Sequence, residues 1–124
     1  MSEAEEHKAI VQWFKAQWPQ YRKSVRVSMS GLPRYGTKGA IQWNMMKSAG
    51  VEDGEADIAI MLPRGGFSVL LLEHKSDTAI RGATESQIEY IQYHNSIGNK
   101  ALVTKGVEMA KAVIREYMEQ DYCI

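Results

Sequence analysis

Two acidic residues stand where apolar runs begin and end. Asp57 opens Ile58-Ala59-Ile60-Met61-Leu62, and Glu73 closes Phe67-Ser68-Val69-Leu70-Leu71-Leu72, with Lys75 two residues further on. Between the runs lies Pro63-Arg64-Gly65-Gly66, a turn signal, so the stretch predicts a β-hairpin. With the turn centred on Gly65, Asp57 and Glu73 are equally far from it and face each other. Directly opposed strand residues hold their Cβ atoms roughly 4.5–5.5 Å apart, and like charges so placed repel. Something must compensate them, and a divalent cation held by oxygen ligands is the natural candidate. Side chains alternate along a strand, so Lys75 emerges beside Glu73 while the His74 side chain points away and leaves its backbone carbonyl on offer. The bland alternative is a pair of solvated strand ends, and a lone E-x-K triplet also arises by chance.

The elements that must position these groups are legible in outline. Residues 3–17 carry Ile10, Trp13 and Phe14 at helical spacing after a candidate N-cap at Ser2, and the helix should end near Pro19. Val25 and Val27 alternate with Arg26 and Ser28 as a first strand. Ser30 to Gly39 is rich in glycine and reads as an irregular loop, followed by a short helix over 40–48 with Ile41, Trp43, Met45 and Met46. Thr84-x-x-Gln87 has the form of a capping box that opens a helix through Ile88, Ile91 and His94 and stops at Gly98. Lys100 to Thr104 is a strand, Gly106 a break, and Val107 to Glu119 a terminal helix with Met109, Ala112, Val113 and Tyr117 inward. The order is α-β-(α)-β-β-α-β-α.

Length and composition bound the possibilities. A chain of 124 residues, 44% hydrophobic, fits one compact domain over 1–124 rather than two. No apolar stretch approaches the roughly 18 residues needed to span a bilayer, and the acidic N-terminus is unlike an export signal. A cytoplasmic protein is expected. The single cysteine, Cys123, excludes an intrachain disulfide, and there is no Cys/His cluster with zinc spacing. His7, His74 and His94 are scattered and read as surface or packing residues rather than bases.

Gly54-Glu55-Ala56-Asp57 before one apolar strand and Glu73-His74-Lys75 after a second resemble the PD-(D/E)xK nuclease signature. More narrowly, Ser2-Glu3 with an amphipathic helix, Gly50-Val51, Gly54-x-x-Asp57, E-x-K and then Gln87 resemble the VRR-NUC family, from about residue 2 to residue 120. Ala56 stands where that family usually has proline, which removes a backbone constraint but no ligand. The resemblance implies an α/β, restriction-endonuclease-like core: a mixed four-stranded sheet flanked by helices, α-β-β-β-α-β-α. It also implies that Asp57, Glu73 and the His74 carbonyl hold Mg²⁺ or Mn²⁺, with Lys75 beside the reacting phosphate. Gln87 matches the family's glutamine, or is merely a capping residue. In that fold the first helix commonly supplies another carboxylate. Glu3 and Glu6, three apart, share a face with Ile10; Glu6 is the preferred candidate, and helix-dipole stabilisation is the competing reading.

Charge supports a nucleic-acid substrate. The net charge is zero, yet from Arg22 to Val51 there is no acidic residue while Arg22, Lys23, Arg26, Arg34, Lys38 and Lys47 are present. Such a run suits a phosphodiester backbone, although basic runs are usually solvated faces. Arg26, Arg34, Lys38 and Lys47 are the candidate DNA contacts. The expectation is therefore a metal-dependent, structure-selective DNA endonuclease, working as a homodimer on branched DNA such as Holliday junctions, with Trp43, Met45 and Met46 as candidate interface. The rivals are a catalytically silent DNA-binding or assembly module of the same fold, a flap or nicking nuclease, and a restriction-type enzyme, which normally needs more chain.

Overall fold

The computed structural model describes residues 1–28, 36–50, 52 and 54–122. Helix α1 (Glu3–Gln17) leads through a 3-10 segment (Pro19–Ser24) into strand β1 (Val25–Val27); α2 (Gly36–Ser48) follows, then β2 (Ile58–Ile60) and β3 (Leu70–Lys75). Helix α3 (Glu85–Ser96), β4 (Lys100–Lys105) and α4 (Val107–Glu119) complete the order. The four strands form one mixed sheet in the order β1-β2-β3-β4. β1 and β3 flank β2 antiparallel, and β4 lies parallel to β3. A parallel neighbour needs a crossover connection, and α3 provides it.

The hairpin forms in the expected register: Ile58 faces Leu72, Ala59 faces Leu71 and Ile60 faces Leu70. Arg64 and Phe67 exchange backbone hydrogen bonds of 3.1 and 2.8 Å around Gly65 and Gly66, whose φ angles of 57° and 88° give the mirror-image turn that matches strand twist. β2 and β3 are apolar without alternation because both faces are covered. On one face Ile58, Ile60, Leu70 and Leu72 pack against Ile10 and Phe14 of α1 and Ala110, Ile114 and Tyr117 of α4. On the other Leu71, Ala101 and Ala56 pack with Tyr90 and Ile91 of α3. The sheet is thus a central wall whose strand ends carry the polar groups.

Two expectations are corrected. α2 begins at Gly36, so the end of the expected loop, Lys38 included, is helical; glycine costs a helix only about 1 kcal/mol and does not forbid it. The buried stripe of α4 is Ala110, Ile114, Tyr117 and Met118, whereas Met109 is 45% exposed and Ala112 is exposed. Those residues follow the i, i+4, i+7, i+8 pattern, rotated from the expected one. In α3, Ile88 is exposed while Tyr90 and Ile91 turn to the sheet. Among the described residues no helix is long and apolar enough to cross a membrane.

Candidate metal centre

The first turns of α1 are fixed by a capping box at Ser2: its hydroxyl accepts from the Glu5 amide, and its own amide donates to the Glu5 carboxylate. From that anchor, α1 sends two sets of polar side chains towards the sheet. Glu6, only 2% exposed, meets His74: its Oε1 lies 2.8 Å from His74 Nε2, and its Oε2 accepts from the Asp77 amide at 3.3 Å. The other ring nitrogen of His74 lies 2.7 Å from Thr104 Oγ1. Burial alone would raise the Glu6 pKa, but the hydrogen bonds from His74 and Asp77 and the His74 charge outweigh it and the net shift is downward. His74 therefore uses its ring for structure.

Its backbone serves the other set. The β2/β3 register, continued one residue past Ile58 and Leu72, sets Asp57 opposite Glu73. The His74 amide donates to Asp57 Oδ2 at 2.9 Å. In an antiparallel pair a residue's amide and carbonyl point to the same neighbour, so the His74 carbonyl faces the same side. Both acids are buried, and both carry raised pKa values. For Glu73 the value is pushed up to about 8, first by burial and then by the Asp57 charge, with Lys75 opposing. For Asp57 burial again leads, and His7 opposes it. Glu73 Oε2 is buried with no hydrogen-bond partner. A buried carboxylate oxygen left without a donor costs free energy, and a divalent ion on an oxygen-rich donor set would remove that cost.

Lys75 Nζ stands 3.4 Å from Glu73 Oε1 and donates to Gln87 Oε1 at 3.2 Å. The same Gln87 oxygen accepts from the Thr84 amide at 2.8 Å, so Gln87 caps α3 and touches Lys75 at once. The loop ahead of Asp57 is held close to that cap. Gly54 has φ +75°, and a Cβ there would collide with the Ser86 carbonyl and the Gln87 amide, so only glycine allows this approach.

The residue that sequence reasoning missed is His7 on α1, and it is Glu3, the alternative to the preferred Glu6, that accompanies it. Glu3, His7 and Asp57 each offer a ligand atom, and the three atoms lie within 4.8 Å of one another. His7 Nε2 is 3.6 Å from Asp57 Oδ2, buried and without a hydrogen-bond partner. The signal was available in the four-residue spacing of Glu3 and His7, which shares one helix face. Of the sequence candidates, Asp57, Glu73, Lys75 and Gln87 come together here with the His74 backbone, whereas the Glu6 carboxylate is taken up by the His74 ring and the Asp77 amide.

The basic residues are more dispersed. Arg26 faces Ala59, which faces Leu71, so it projects from the same side of the sheet as Leu71. It lines a half-open cleft of ≈ 240 Å³ with Glu55, Ala56, Leu71 and Tyr90, and Ala56 precedes Asp57 in the chain. Lys38 and Lys47 lie on α2. Arg34, Val51 and Cys123 lie outside the described residues. On α2, Ile41 and Met45 are 55% and 69% exposed, while Trp43 and Met46 are half-buried.

No protein-family model and no curated protein matches the chain. A solved structure of a "VRR_NUC domain protein" superposes on it with a TM-score of 0.79 at 26% sequence identity, covering 97% of this chain and 90% of that one.

Proposed function

Because the chain belongs to the VRR-NUC family of PD-(D/E)xK nucleases, we propose that it is a Mg²⁺- or Mn²⁺-dependent DNA endonuclease acting at branched DNA such as Holliday junctions. The observation that carries the reading is the Asp57–Glu73 pair: two buried acids crowded together, both with raised pKa values and one with an unpartnered oxygen, in contact with a lysine. A silent module of this fold would have no use for that arrangement.

Asp57, Glu73 and the His74 carbonyl would hold the ion, whose chemistry is to polarise a phosphate and ease deprotonation of a water. Lys75, steadied by Gln87, orients the attacking water and offsets the charge that develops on the phosphate. Glu6 acts as a positioning residue, since it holds the His74 segment from which the carbonyl and Asp57's donor come. Arg26, Arg34, Lys38 and Lys47 hold the backbone of the substrate without reading its sequence. A homodimer would place two such sites across a junction, and the exposed Ile41 and Met45 with the neighbouring Trp43 and Met46 offer α2 as its surface.

The test is cleavage of labelled duplex, flap, fork and four-way-junction DNAs with Mg²⁺, Mn²⁺ or EDTA, alongside sedimentation of the protein. Paired, symmetric, metal-dependent cuts by a species of twice the chain mass are expected. Single cuts by a monomer would replace the junction reading with a flap or nicking nuclease, and no cutting of any substrate would favour the binding module.

A further inference from the structure

We propose that His7 is a direct metal ligand, which makes the centre a mixed nitrogen and oxygen site that selects Mn²⁺ and later first-row ions over Mg²⁺. The inference rests on the metal-dependent reading above and names the ion that the site prefers. Glu3, His7 and Asp57 present ligand atoms within 4.8 Å of one another. Ligands at roughly 2.0–2.2 Å from a common ion lie at most about 4.4 Å apart, so small side-chain rotations close the set. Two further groups point to an occupant. His7 Nε2 is buried without a hydrogen-bond partner although it is only 3.6 Å from Asp57 Oδ2. Glu73, 2% exposed and opposite Asp57 in register, also keeps an unpartnered oxygen.

A nitrogen donor changes the selectivity. Mg²⁺ demands oxygen ligands and gives up its waters reluctantly, while imidazole favours ions further along the first transition row. The other histidines do not compete for this role: both ring nitrogens of His74 are engaged, by Glu6 and Thr104, and His94 on α3 pairs with Asn99. Glu3 and His7 stand one helical turn apart, so α1 brings both to the ion together, and a rigid helix supplies the geometry without loop ordering.

Mn²⁺ added as its chloride to the full chain provides the probe, read by pulsed electron-spin resonance and by calorimetry. The wild type should show ¹⁴N modulation from a coordinated imidazole, and His7→Gln should abolish it, lower Mn²⁺ affinity at least tenfold and change Mg²⁺ affinity less than threefold. Manganese bound to the wild type without nitrogen modulation would overturn the histidine ligand and leave the nuclease reading intact. That spectrum needs no variant, so a poorly folded His7→Gln does not decide the matter. If the wild type binds neither ion, the inference falls together with the metal-dependent function.

Discussion

Glu6 with His74 and His7 with Asp57 pair the same two chemical groups through adjacent residues of α1, yet they are completed differently. Around Glu6 every polar atom finds a partner: the imidazole bridges to Thr104 and the second oxygen takes the Asp77 amide. Around Asp57 the partners run out. His7 stays at 3.6 Å, Glu73 Oε2 has no hydrogen-bond partner, and burial and the Asp57 charge push the Glu73 pKa up. A satisfied buried network rigidifies a fold, while an unsatisfied one is tolerated where function requires it. The first pair holds the scaffold in place, and the second is the one proposed to take up an ion.

The second pair should be the more sensitive to substitution. Asp57→Asn and Glu73→Gln should each lower cleavage by at least about a hundredfold, the scale of losing one preorganised charge at a reacting centre, and leave DNA binding intact. Glu6→Gln should cost less than tenfold in rate and be felt chiefly as lost stability. Gel-based cleavage and binding assays on the three variants separate these outcomes; equal rate losses would erase the distinction between the two pairs. At the first pair, His74→Ala leaves the buried Glu6 carboxylate with the Asp77 amide but without its imidazole, which should destabilise the fold by up to about 3–5 kcal/mol in urea titration. A loss below 1 kcal/mol would mean that Glu6 readily reaches water.

A gentler probe is pH. In the metal-free fold Glu73 binds its proton up to about pH 8, against 4.5 as the ordinary value, so the folded state holds more protons between those limits. Its contribution to stability is present below pH 4.5 and is lost as pH rises towards 8. Melting in EDTA should therefore fall by on the order of 5 °C between pH 5.5 and 8.5, and Glu73→Gln should flatten that slope. The lowered Glu6 pKa acts in the opposite direction and only in acid, outside this window. The smallest effect belongs to the basic residues: Arg26→Ala or Lys38→Ala should reduce the salt slope of log K for duplex arms by about 0.9 per lost phosphate contact. An unchanged slope would remove that residue from the DNA surface.

What was legible in the sequence had local causes. The hairpin register followed from the Gly65-Gly66 turn, the N-cap of α1 from Ser2, the capping box of α3 from Thr84, and the bounds of α4 from Gly106, so the opposition of Asp57 and Glu73 could be read directly. What was not legible depended on rotation. Whether Glu3 with His7 or Glu6 faces Asp57 is decided by how α1 rolls when Ile10 and Phe14 dock on β2 and β3, and a roll of one residue exchanges the two sets. The same ambiguity misplaced the inward stripe of α4. His74 was read for its carbonyl, while its ring proved to be the anchor of Glu6, a pairing across sixty-eight positions of chain that no spacing announces. Lys38 was read as a loop residue because glycine density outweighed helix spacing.

The most direct measurement is calorimetric titration of Mn²⁺ into the wild type, Glu73→Gln and Glu6→Gln at pH 7, in two buffers of different ionisation enthalpy. The wild type should bind the ion with proton release, because Glu73 must shed its proton to become a ligand. Glu6→Gln should retain binding and proton release, and Glu73→Gln should lose both. Wild-type affinity and proton release in Glu73→Gln would contradict the assignment of the metal to the Asp57–Glu73 pair.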